Sequence, residues 1–143
     1  MTRTVPQARH GSALGFVPLL GVLWIVYNAM VLVGAAPAGL ARPLFQLPLP
    51  SGAAATVNGG ELLIGLGLLA LYIEMIKATR TGTVSVIEHS LSVLVFIAYL
   101  VEFLVVAGAG TATFLILGLM ALLDVIAGFS ISIFAARRDL AIE

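Results

Sequence analysis

The sequence predicts an all-α membrane protein, an up-and-down bundle of four transmembrane helices with both termini cytoplasmic. Three observations carry that expectation. Of the 143 residues, 61% are hydrophobic and only 10% charged, whereas an average soluble domain is about 25% charged. Apolar runs close to the roughly 20 residues needed to cross a hydrocarbon core of about 30 Å occur four times. Finally, six of the seven basic residues (Arg3, Arg9, Lys77, Arg80, Arg137, Arg138) fall where four crossings put them on one side, leaving Arg42 alone on the other. Basic segments flanking spans stay in the cytoplasm, so a multi-pass protein with both termini on that side is expected. Mean hydropathy is +1.15.

The first span, about 14–34, follows Arg3 and Arg9. A signal peptide is the alternative there, because Ala36-Pro37-Ala38 supplies small residues, but the apolar run exceeds the roughly 7–15 residues of such a leader. The periplasmic loop, about 35–58, contains Pro37, Pro43, Pro48 and Pro50 around the apolar stretch Leu44-Phe45-Gln46-Leu47-Pro48-Leu49. Proline forbids a continuous helix, so an extended or broken hairpin lying against the top of the bundle is expected. A re-entrant loop is the alternative, if protein or water satisfies its backbone at membrane depth. The remaining spans are expected at about 59–78, 86–107 and 112–136, all within one domain covering residues 1–143. With no cysteine in the chain, disulfide and thiolate chemistry are excluded.

Five carboxylates lie in or beside these spans: Glu61, Glu74, Glu88, Glu102 and Asp124. Each is costly in a bilayer, by roughly 2.5–3.5 kcal/mol at a helix centre. Three have local explanations. Asn58 and Glu61 have the spacing of a capping box, Ser85 and Glu88 repeat it, and Glu74 stands three residues before Lys77 as an ion pair. Glu102 and Asp124 have no such neighbour.

Helical phase gathers these acids into stripes. At about 100° per residue, Glu88, Ser92, Val95, Tyr99 and Glu102 share one face of the third helix. Asp124 shares a face of the fourth with Ala121, Gly128, Ser132 and Ala135, small residues that let membrane helices approach closely. Gly60 and Gly67 give the second helix a comparable face, with Glu74 on it. Folding the helices about their turns brings Asn28 to the depth of Tyr99 and Glu102, and sets Asp124 beside Leu94 or Val95. Two readings follow for Asp124, Glu102, Tyr99, Ser92, Glu88, His89 and Asn28. They are hydrogen-bonded glue between helices, or they form an ion or proton path.

Other chemistry is excluded or unsupported. Of two histidines, His10 lies in the head, so no metal or haem site is expected within one chain; His89 is expected to be hydrogen-bonded. No phosphate-binding loop, nucleophile elbow or metalloprotease motif is present, nor any basic aromatic patch for nucleic acid. No cofactor and no enzymatic activity are expected. Small four-span multidrug exporters are of similar size, but the acid on their first helix has no counterpart here.

The segments Lys77-Ala78-Thr79-Arg80-Thr81, Leu100-Val101-Glu102-Phe103, Leu122 to Phe129 and Ala136-Arg137-Arg138-Asp139 together resemble a group of small, uncharacterised four-span bacterial inner-membrane proteins. The resemblance covers the last three helices best and implies topology and location without an activity. The expected function is therefore an accessory or scaffold subunit, assembling with itself as a homo-oligomer or with other membrane-protein subunits in the lipid bilayer. A proton or cation channel or transporter subunit using the intramembrane carboxylates is the alternative.

Overall fold

The computed structural model describes residues 17–79 and 83–140, with side chains given for 17–79 and 86–134. Arg3, Arg9, His10 and Arg80, and the side chains of Ser85, Ala135, Arg137 and Arg138, lie outside the described part. The chain is mostly helical, with α1 at Leu19–Leu32, α2 at Gly59–Ala78, α3 at Thr83–Val105 and α4 at Ala112–Leu140. By length and composition α2, α3 and α4 are each able to cross a membrane, whereas α1 is a shorter apolar helix.

The helix boundaries have local causes. α1 is 14 residues rather than the expected 20 or so, because Pro18 occupies its N-cap and Gly34, at φ +69°, turns the chain soon after Val33. Such a positive φ suits glycine, which has no Cβ to clash. α2 begins with the expected capping box. Asn58 Oδ1 accepts the Glu61 N–H at 3.1 Å, and Glu61 Oε2 accepts the Asn58 N–H at 2.8 Å. The second capping box is a correction: α3 starts at Thr83, which puts Ser85 inside the helix rather than at its N-cap. A single 3₁₀ turn, Ala107–Ala109, links α3 to α4, and the Thr111 hydroxyl accepts the Phe114 N–H at 3.1 Å to cap α4.

The fold class also needs correction, since a small antiparallel sheet joins α1 to α2. Its strands are β1 (Pro43–Pro48) and β2 (Ala54–Asn58), with Phe45 opposite Val57 and Leu47 opposite Ala55. Prolines end β1 on both sides, where a missing N–H does least harm to a ladder. Gly52, at φ +82°, makes the tight turn, and the Leu49 N–H closes it onto the Ala53 carbonyl at 2.8 Å. Gly60 and Gly59 N–H groups donate to the Leu40 and Arg42 carbonyls at 2.9 and 3.2 Å, fixing the loop to the start of α2. The loop is thus extended, as the prolines require, with Leu44, Phe45, Leu47 and Leu49 all exposed.

Packing centres on α4, which lies along both α2 and α3, while α2 and α3 scarcely touch. Sequence neighbours α2 and α3 are diagonal in the bundle, and α1 closes the fourth side. Phe114, in the first turn of α4, is completely buried between Tyr27 and Tyr99 with ring centroids 4.6 and 5.0 Å away. Such aromatic pairs contribute about 0.5–1.5 kcal/mol each beyond the area they bury. Leu20 and Leu117 join these rings in one packed layer. It divides the bundle interior into an end near the hairpin and an end near the α2–α3 turn, and the polar side chains fall on either side of it.

Candidate functional site: two polar clusters

At the turn end, Glu74 on α2 is only 5% exposed and reaches across to α1, where Oε1 accepts the Leu19 N–H at 2.7 Å. Lys77 donates to both carboxylate oxygens, at 3.1 and 2.9 Å, and to the Val17 carbonyl at 3.3 Å. The pair expected within α2 is therefore present, but its main structural effect is on another helix. A carboxylate replaces the side-chain cap that Pro18 cannot supply, and it does so at the end of α1 where the helix dipole favours negative charge.

Close by, Asp124 on α4 is 5% exposed and lies near Ser92 and His89 on α3 and Glu74 and Lys77 on α2. His89 Nε2 shares a hydrogen bond with the Ser132 hydroxyl at 3.0 Å. The ring lies against Gly128 so closely that a Cβ there would sit 2.6 Å from Nδ1. Glu88 is buried at the same end.

The hairpin end holds a smaller group. Asn28 on α1 donates through Nδ2 to Glu102 Oε2 at 2.9 Å and to the Trp24 carbonyl at 3.1 Å. Glu102 is 8% exposed. Its Oε1 and the Trp24 indole Nε1 are buried and have no hydrogen-bond partner among the described residues. Such unmet groups cost roughly 1–3 kcal/mol each, more when charged. Glu102, Asn28 and Trp24 line a cleft of about 470 Å³ between α1 and α3, whose other walls are Val31, Leu32, Ala98, Val101, Val105 and Val106. The cleft opens sideways, since Leu32, Val101 and Val105 are exposed.

The two clusters are not continuous. Tyr99, which shares the α3 stripe with Ser92 and Glu102, is buried and donates its hydroxyl to the Leu20 carbonyl at 3.0 Å. Ser92 and Glu102 stand ten residues apart on one helix, about 15 Å at about 1.5 Å per residue, with Tyr99 between them on the same buried face.

The small-residue stripes lie at helix contacts. A Cβ on Gly60 would meet Thr113 Oγ1 at 2.5 Å, and one on Gly67 would meet Leu117 Cδ2 at 2.6 Å and the Met120 sulfur at 2.8 Å. Ala121 is buried and Ser132 partly so. Among the described residues no cluster of three metal-ligating side chains occurs. Sequence reasoning overlooked Trp24 as a member of the site; its position one turn before Asn28, on the same face, was the available signal. Comparison with family models, with curated proteins and with solved structures finds no match for this chain.

Proposed function

We propose that the chain is a non-enzymatic subunit of a bacterial inner membrane, with four crossings and both termini in the cytoplasm, which assembles with copies of itself or with other membrane proteins. The supporting observation is what the buried acids hold. Glu74 binds the start of α1 and Glu102 binds Asn28, so both of these carboxylates join two helices, and the buried Asp124 lies near Ser92 of the neighbouring α3. Packed core side chains, Tyr99 and Leu117 among them, stand between them, where a path would need water. The length of α1 supports assembly: 14 residues rise about 21 Å, short of a core of about 30 Å. A short span is accommodated by bilayer thinning, by flanking residues or by oligomerisation.

A proton or cation path through a homo-oligomer is the second reading, favoured by the grouping of Asp124, Glu74, His89 and Lys77 at one end. Asp124→Asn separates the two, because it keeps shape and hydrogen bonding but cannot ionise. Assembly should survive, as measured by the mass of the detergent-extracted particle, and wild-type protein in vesicles should carry no pH-driven or cation-driven flux to an internal dye. Flux that is lost in Asp124→Asn would replace assembly with transport. Reporters fused at residue 2 and residue 143 should both be cytoplasmic and one inserted near Ser51 periplasmic; a periplasmic C-terminus would end the four-span reading.

A further inference from the structure

We infer that the α1–α3 cleft is a binding site for a small apolar primary amine, entering sideways from the bilayer, with its ammonium on Glu102. The binding does not depend on assembly or on transport.

The polar equipment of the cleft is lopsided. Asn28 occupies one oxygen of Glu102, and Oε1 is left with no donor among the described residues. No described basic side chain supplies one. Arg42 is in the loop, where it lines a different hollow with Gly34 and Gly39, and Lys77 is bonded to Glu74 at the opposite end of the bundle. A carboxylate in low dielectric with one oxygen unmet is complementary to a charge-assisted N–H donor, which forms about twice as strong a bond as a neutral one. Trp24, the kind of aromatic ring that attracts cations best, lines the same cleft.

The cleft dictates the rest of the ligand. Its polar atoms come from Trp24, Asn28 and Glu102, while Val31, Leu32, Val105 and Val106 wall the part nearest the hairpin. The charged head therefore points into the bundle and the apolar body toward the hairpin end. A bilayer lipid is oriented the other way, with its headgroup outermost where the helices end. Its polar head would face the valines, so the geometry selects a compact amine over a lipid headgroup. A volume of about 470 Å³ falls within the roughly 300–1,000 Å³ of ordinary small-molecule sites.

Trp24 is the only tryptophan in the chain, so it reports on its own cleft. The full chain, purified in a maltoside detergent, is titrated with phenethylammonium while Trp24 emission is followed. Phenylethanol, which lacks the charge, and ethanolamine, which lacks the apolar body, serve as comparison ligands. Saturable change is expected with phenethylammonium, and binding about tenfold weaker with either comparison ligand or with Glu102→Gln, from loss of the charge-assisted bond or of apolar contact. Ala98→Phe, which fills the cleft and leaves the acid in place, should abolish the response. Circular dichroism confirms that each variant is folded. Absence of saturation in folded wild-type protein, equal binding of phenylethanol, equal binding of ethanolamine, or unchanged affinity in either folded variant would each overturn the assignment.

Discussion

Glu74 and Glu102 are both buried carboxylates about one turn from a helix end, yet their surroundings differ completely. Both Glu74 oxygens are engaged, by Lys77 and by the Leu19 N–H, and the cation that neutralises it lies three residues away in its own helix. Glu102 has one bond, from a neutral amide, and faces a cleft. The difference teaches that a membrane acid is not one kind of feature. With both oxygens held by protein it serves as a joint between helices; with one oxygen unmet it is a place where something else can bind.

The comparison breaks first at Glu74. Glu74→Ala strips the cap from α1 and leaves the Lys77 ammonium, 11% exposed, without its counterion. Breaking a buried pair in this way costs about 3 kcal/mol or more, and thermal unfolding in detergent should show a loss of that order. Next comes Gly128→Leu, which drives the His89 ring off Ser132. Overpacking of this kind costs about 1–3 kcal/mol, and the same unfolding assay should find Leu115→Ala, at a half-exposed site on another face, less harmful. Asp124→Asn keeps the shape and hydrogen-bonding capacity of the side chain and should shift stability by only about 1 kcal/mol. Smallest of all is Glu102→Gln, which can still accept from Asn28 and has no ion pair to lose, so its stability should match wild type within about 1 kcal/mol. A loss at Glu102→Gln as large as that at Glu74→Ala would erase the distinction between joint and open site.

Much of the framework could be read from the sequence because it depends on local rules. Hydropathy and length located α2 at its observed ends, and the Asn58–Glu61 spacing named its capping box. Helical phase put Glu88, Ser92, Tyr99 and Glu102 on one buried face, and depth matching brought Asn28 to Glu102. What escaped was set at long range. No pattern within α1 announces that its first N–H is capped from 55 residues away, and a capping motif at Ser85 was overridden by two further helical residues. An extended or broken hairpin was foreseen for the loop, but not its ladder, because the register depends on pairing across Gly52. Nor did any periodicity indicate that α2 and α3, joined by a short turn, would be held apart by the helix that follows them.

That arrangement bears on how the protein is made. The partner shared by α2 and α3 is the last of the four helices to leave the ribosome. Until Phe114, Leu117 and Met120 arrive, the Gly67 notch and the ring of Tyr99 have lipid where the finished bundle has side chains. The earlier helices must therefore wait in the membrane as loosely associated segments, and the interior closes in one late event. A chain arrested before α4 would leave the Gly67 notch and the Tyr99 ring without the side chains that fit against them.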